Sequence, residues 1–494
     1  VLVLRHFAFL SFCVVLRAQV GAPQNLHAVS ATSREVKIAW TAVAGASGYT
    51  VERKVLGATT PFAPLDPKPI TTAETSDSTI AAMTTYVYRV KTGATVSKEL
   101  TVGPPPIGFS TMVATPANLK EGEEKSQFAM RPQMTLDSNG DPAAIYYFLK
   151  RNGDDVSESA ISFVSWNRAL YRWNAPVEVM KVGEVGKPAP ITFARDAATN
   201  AYAIISETTN NHSLLFALST DNGLTWKTRP AVTFDENTVR CPSLALAKGA
   251  IYLAYAQSDS PMQYATGKET DDPSTWTKSP IPAPKGDLVR FSVSLDSDSA
   301  GNPAVAFMNA DGYNTTVFFW RPGQSAPVRV TDSNNFQNDE PLVKLVFDGT
   351  KPRIGLLMGR TETRFSANEW NYLAVSSDDG KTWPAPVYLP NDETLSMGNP
   401  MPAFNLRGEG AVMLDLTGGS GGKCDQPKLS RSSDLIHWKT CSPNSTVKPK
   451  LSFAGSGQIR FAENGKLYSV MSYPRQDLKD DGRAPEGLVL WREP

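Results

Sequence analysis

From residue 131 onward the chain repeats one pattern: a short apolar run, a turn rich in Gly or Asp, and a second apolar run. RPQMTLDSNGDPAAIYYFL starts at Arg131, PAPITFARDAATNAYAIIS at Pro188 and CPSLALAKGAIYLAYA at Cys241. RFSVSLDSDSAGNPAVAFM at Arg290, EPLVKLVFDGTKPRIGLLM at Glu340, NPMPAFNLRGEGAVMLDL at Asn399 and GSGQIRFAENGKLYSVM at Gly455 follow. Each pair reads as a hairpin, and the interval of roughly fifty residues leaves room for two more strands. Upstream, Val36, Ile38 and Trp40 alternate with polar residues, as do Tyr86, Tyr88 and Val90, which predicts strands with one buried face.

A period near fifty with four short strands is the signature of a β-propeller blade. The count predicts seven blades, with six as the alternative. After Gly455 only three strands remain, ending in GLVLWREP. GFSTMVATP, which precedes the first blade, is expected to supply the fourth and close the ring.

STDNGLTW at Ser219 to Trp226 and SSDDGKTW at Ser376 to Trp383 fall at one place in this period, after the third strand. TDDPSTW ending at Trp276 and RSSDLIHW ending at Trp438 are weaker copies, and Trp173 is a further relic. The fourth blade, with FFWRPGQSAPV, lacks the turn. Asp221 and Asp378 suit backbone N–H groups of a turn, and Gly223 and Gly380 permit a left-handed backbone. Trp226 and Trp383 are expected to tuck beneath. The repeat therefore reads as a hairpin staple and not as a catalytic site.

The pattern Ser-x-Asp-x-Gly-x-Thr-Trp resembles the Asp-box (BNR repeat) of sialidase-like propellers, over residues 109–494. Sialidases of that superfamily have six blades. Residues 22–103 resemble a fibronectin type III domain: Pro-x-x-Leu at the start, Trp40, Gly-Tyr-x-Val-x-Arg from Gly48, and Tyr-x-Tyr-Arg-Val from Tyr86. That resemblance implies an all-β, two-sheet sandwich. GPPPIG, covering the stiff linker 104–108, separates the two.

Length and composition fit this picture. At 494 residues more than one domain is expected. Lys plus Arg and Asp plus Glu are both 49, so no net field draws nucleic acid or an anionic membrane. Residues 1–18 carry Arg5 and His6 before a short apolar run, as a secretory signal peptide does, and the run is too short to span a bilayer. The expected location is secreted or periplasmic. In that compartment Cys424 and Cys441 are placed to pair, which leaves Cys241 as a buried free thiol. No Cys/His spacing suggests zinc. DSNGD and DSDSAG resemble calcium loops faintly, but hairpin turns explain both, so no metal and no cofactor is expected.

Inner strands of a propeller begin around one axis. Arg131, Arg240, Arg290 and Glu340 stand at those starts, and three guanidinium groups around one pocket would suit a carboxylate. The sialidase resemblance implies more. In order along the chain, Arg131, Arg151 and then Asp155 (or Asp154) match its two arginines and acid/base Asp. Glu207, with Glu340 competing, Arg240, Arg290 and Tyr468, with Tyr473 as the alternative, match the rest. Such an enzyme uses the Tyr as nucleophile, the Glu to take its proton and the Asp as acid. The expected function is that of a secreted glycan-active protein like an exo-sialidase, acting on an anionic terminal sugar. The alternative is a non-catalytic extracellular propeller that binds a glycan or a cell-surface or matrix protein. A third option is a glycosidase with Asp155 and Glu340 facing each other. The expected partner is a carbohydrate or glycoconjugate, and the expected state a monomer.

Overall fold

The structure is a computed structural model. It describes residues 20–106, 108–113, 127–152, 155–182, 191–208, 213–234, 241–257, 260–282, 287–311, 314–331, 342–361, 367–388, 400–405, 407–414, 428–441, 457–474 and 486–493. The chain is all-β and divides into two compact units, Val1–Gly103 with Arg168–Tyr171, and Pro104–Asn167 with Arg172–Pro494.

In the first unit, one sheet joins Gln24–Ala31, Val36–Thr41 and Glu74–Asp77. The other runs Ala63–Pro64, Thr50–Val55, Tyr86–Thr92, Thr95–Val96, with Leu100–Val102 also on Tyr86–Thr92. The alternating residues Val36, Ile38, Trp40, Tyr86, Tyr88 and Val90 form the core with Tyr49, Val51 and Val102. Trp40 meets Tyr49 edge to face at 5.3 Å. Asp77 is buried beneath Tyr88, whose hydroxyl donates to it at 2.9 Å, and pairs with Arg53.

In the second unit the described residues form seven antiparallel sheets, and each of the seven expected hairpins supplies the first two strands of one. The inner strands are Gln127–Leu136, Ile191–Arg195, Ser243–Ala247, Asp287–Ser297, Leu342–Asp348, Pro400–Phe404 and Gly457–Phe461. Every inner strand packs on the next, and Gly457–Phe461 packs on Gln127–Leu136, so the sheets close a cycle. The seventh sheet runs Gly457–Phe461, Leu467–Pro474, Glu486–Arg492 and finally Gly108–Val113, with Leu488 opposite Val113.

Inner strands of neighbouring sheets do not share a ladder, so polar side chains meet their exposed backbone groups. Gln133 accepts from Phe193 N–H at 2.8 Å and donates to the Ile191 carbonyl. Thr192 donates to Pro242 O at 2.9 Å. Ser243 accepts from Leu295 N–H at 2.8 Å, Ser294 from Leu345 N–H at 2.9 Å, and Gln458 from Met134 N–H at 2.9 Å. All these residues lie a few positions before their hairpin turns, so the inner strands run parallel around the axis. At the same position the fifth sheet has Lys344, which makes no such bond among the described residues.

The two octapeptide turns are replicas. Asp221 accepts from Thr225 N–H at 2.9 Å and Thr225 Oγ1 at 2.6 Å; Asp378 does the same with Thr382 at 2.9 and 2.6 Å. Ser219 and Ser376 hydroxyls donate to these carboxylates and accept from Gly223 and Gly380 N–H, both at 2.9 Å. The Trp226 and Trp383 indoles donate to Gly223 O and Gly380 O, both at 3.1 Å. Each turn also reaches the preceding sheet. Trp226 packs on Phe163 and Trp383 on Phe319, both at 5.4 Å. Trp276 packs on Phe216 at 5.0 Å and Trp320 on Tyr264 at 5.6 Å. These four partners sit on third strands, so the tryptophans tie the second, third, fourth and fifth sheets each to its predecessor. Burying the Trp276 and Trp320 rings contributes about 1.5–3 kcal/mol each, the half-buried Trp226 and Trp383 contribute less, and each aromatic pair adds about 0.5–1.5 kcal/mol. The fourth sheet lacks the sequence motif yet keeps the contact: Trp320 donates to Gln324 O at 3.0 Å instead.

Candidate functional site

The parallel inner strands give the axis two distinct ends. At one, the inner strands start and the second strands finish; at the other lie the hairpin turns. Ile191 pairs with Ser206 and Arg195 with Tyr202, so Glu207 falls at the strand-start end. Gly457 pairs with Met471 and Arg460 with Tyr468, so Tyr468 falls at the turn end.

Most of the predicted mouth belongs to the strand-start end. Arg131 and Pro132 sit in a register break on Gln127–Leu136, between Met130 and Gln133. Arg290 sits in another on Asp287–Ser297, between Leu288 and Val293. Pro132 has no N–H to give a ladder, which suits a bulge, and bulges re-aim side chains. Arg151 and Asp155 flank the tip of the hairpin at this same end, where Arg151 pairs with Val156 and Asn152 with Asp155. The side chains of Arg131, Arg151, Asp155, Arg290 and Tyr473 lie outside the described residues, as do Asp154, Arg240, Glu340 and Cys424 entirely; Cys441 is described only as the end of Lys439–Cys441.

Glu207 is 1% exposed at the end of Tyr202–Glu207. Its neighbour Ser206 shares a 3.0 Å hydrogen bond with the Tyr147 hydroxyl of the first sheet. Cys241 is a buried free thiol at the entry to the third sheet. Burial, and then the Glu207 charge, push it up to about 12. Its backbone has φ +38, a rare value for a side-chain-bearing residue. Sequence reasoning did not place Cys241 beside Glu207; only the pairing of Ile191 with Ser206 and the packing of the next inner strand do so.

Tyr468 is not brought to this mouth. It is fully buried on Leu467–Pro474, beneath the Arg492 guanidinium, which lies 5.8 Å from its ring centre. The physical reason is strand direction. A residue at the start of a second strand points to the turn end, whatever its order along the chain. Tyr473 lies opposite Gly487, at the strand-start end of the same strand.

At the turn end the axis opens into a cavity of about 720 Å³ walled by all seven inner strands. Asp296, Lys344 and Arg460 line it together with Ala194, Ala245, Val346 and Phe404. Burial lowers Lys344 to about 8, and the Arg460 charge adds to this while Asp296 opposes it. Burial also lowers Arg460 and raises Asp296. Asp296 accepts from Ser297 N–H at 2.9 Å and from Phe347 N–H. Arg460 donates to Ile459 O at 2.9 Å. Sequence reasoning missed all three, since no motif joins them. Among the described residues no group of three or more His, Cys, Asp or Glu is arranged for a metal. In DSNGD and DSDSAG, Asp137 and Asp298 instead bind turn N–H groups: Asp137 those of Asn139 and Asp141, Asp298 those of Ala300 and Asn302.

No family model matches the chain, and no curated protein does. Solved structures do. An α-L-arabinanase of Penicillium chrysogenum complexed with arabinobiose matches at 12% identity, covering 79% of this chain and 99% of that one, with TM-score 0.44. The intramolecular trans-sialidase of Ruminococcus gnavus matches at 13% identity, 76% and 96% coverage and TM-score 0.39. AofleA of Arthrobotrys oligospora matches at 12% identity, 69% and 96% coverage and TM-score 0.42. The chemistry rests on this chain's own residues.

Proposed function

We propose that residues 109–494 form a seven-bladed, sialidase-like Asp-box propeller behind a fibronectin type III domain, exported by residues 1–18, and that the protein acts on glycans. Its strand-start mouth takes an anionic terminal sugar, whose carboxylate meets Arg131, Arg240 and Arg290. One observation carries this reading: the parallel inner strands bring the separate register breaks of Arg131 and Arg290 to the end where Glu207 lies. Arginine forks bind a carboxylate with two parallel hydrogen bonds, and a low-dielectric mouth strengthens them.

Turnover needs a nucleophile at the same end. Tyr473 has the right backbone position and Tyr468 does not, so an exo-sialidase mechanism runs through Tyr473 with Glu207 and Asp155. The burial of Tyr468 at the turn end favours a second reading, in which the mouth binds an anionic glycan without cleaving it. The test is hydrolysis of a fluorogenic sialoside, together with calorimetric binding of sialyllactose, by wild type, Arg290→Ala and Tyr473→Phe. Hydrolysis lost in both variants supports turnover. Binding without hydrolysis, lost in Arg290→Ala alone, supports the second reading. Neither binding nor hydrolysis by wild type overturns both.

A further inference from the structure

We propose that the turn-end cavity is a second binding site, for a small hydroxylated carboxylate of the sugar-acid class, held by Arg460 and Lys344 with Asp296 accepting a ligand hydroxyl. It lies at the opposite end of the axis from the arginine mouth, and neither reading depends on the other.

The cavity is large enough for such a ligand, since small-molecule sites run from about 300 to 1,000 Å³. Its volume of about 720 Å³ leaves room for a monosaccharide and water. Its wall is small or apolar where most inner strands contribute, at Ala194, Ala245, Val346 and Phe404. Against that wall stand two cations and one carboxylate. Lys344 replaces a residue type with a structural use. At its position Gln133, Thr192, Ser243, Ser294 and Gln458 spend their polar atoms on a neighbouring strand. Among the described residues Lys344 makes no such bond, and its side chain lines the cavity.

Among the described residues, Asp296 is the carboxylate that acts on both Lys344 and Arg460, and it also takes backbone N–H groups. Two desolvated cations sharing the single carboxylate of Asp296 leave an excess of positive charge, a cost that an anion removes. The other ionisable residues of the wall are satisfied at the turns. Asp196 accepts from Ala198 N–H and Gly249 N–H, and Asp298 pairs with Arg321 at 3.4 Å. Lys248 donates to Ala300 O, and Arg195 to Asn200. None of them neutralises the deeper trio. A guanidinium fork selects a planar carboxylate, the ammonium adds a point charge, and an ionised carboxylate can only accept, which selects a ligand hydroxyl.

The test is calorimetric titration of the full chain with glucuronate, glucose and inorganic phosphate. Glucuronate should bind, glucose should not, and phosphate should bind at least about tenfold more weakly. Lys344→Met and Arg460→Gln should each weaken glucuronate about tenfold or more. Wild type itself supplies an arm free of folding effects: affinity should fall severalfold from pH 7 to pH 9, as Lys344 loses its proton. No glucuronate binding by wild type overturns the proposal. So does binding unchanged in both folded variants and between the two pH values, or phosphate binding as tightly as glucuronate.

Discussion

Replacing Gly223 by Ala isolates the coupling between neighbouring sheets. Gly223 has φ +82, and a Cβ there would lie 2.1 Å from Cε1 of Phe163 on the preceding sheet. Phe163 cannot step aside. It is 2% exposed, with Tyr202 at 5.3 Å, Trp226 at 5.4 Å and Phe193 at 6.1 Å from its ring centre. A left-handed backbone costs an alanine about 1–2 kcal/mol. Forcing a methyl into a packed core costs about 1–3 kcal/mol more. The sum is about 2–5 kcal/mol. Gly140→Ala is the control, for Gly140 has φ +76 and open space where its Cβ would go. That variant should lose only the backbone part, about 1–2 kcal/mol. Urea unfolding followed by tryptophan fluorescence measures both, with the midpoint shifting at constant slope. Adding Gly223→Ala to Phe163→Leu should then cost less than the sum of the two changes, by about 1 kcal/mol. Equal costs for Gly223→Ala and Gly140→Ala, within about 0.5 kcal/mol, would refute the idea that the turn braces the sheet before it.

Three further outcomes follow from the charges. Hydrogen bonds from Thr382, hydroxyl first and then N–H, hold Asp378 down to about 2. The turn's grip is therefore complete above the ordinary carboxylate range and is lost as pH falls through about 2, which an NMR titration of the Asp378 carboxyl carbon would show. Lys344 is held near 8 in the fold but returns to its ordinary value of 10.5 when unfolded. Between those values the unfolded chain binds more protons, so stability should rise with pH across that window, and Lys344→Met should flatten the rise. Cys241, pushed up to about 12, should resist iodoacetamide at pH 8 in the folded chain and react on unfolding, as followed by mass spectrometry of its peptide.

The hairpins were legible because apolar runs flanked by turn residues encode themselves locally. The closing role of Gly108–Val113 was legible because the last repeat was one strand short. The brace between sheets was not. SSDDGKTW names Trp383 but not Phe319, which lies on another sheet, and Trp320 makes the same contact with no motif at all. The end of the axis on which the mouth's backbone positions fall was legible in part. Order along the chain placed Arg131, Arg290 and Glu207 at one end, but order does not reveal strand direction, and strand direction sent Tyr468 to the other. The trio of Asp296, Lys344 and Arg460 was invisible because Lys344 and Arg460 are single charges in apolar runs and Asp296 opens a turn, DSDSAG, and only closure brings the three strands together.

The seventh sheet has a temporal consequence. Its outermost strand, Gly108–Val113, is made well before its partner Glu486–Arg492, which lies more than 370 residues further along the chain. Until that partner emerges, Gly108–Val113 stays bare, and a bare edge invites pairing with other chains. A product that stops short of Glu486 can never latch. The join thus makes a chain that contains Glu486–Arg492 differ from one that lacks it in how much sheet edge it exposes to proteases and to self-association.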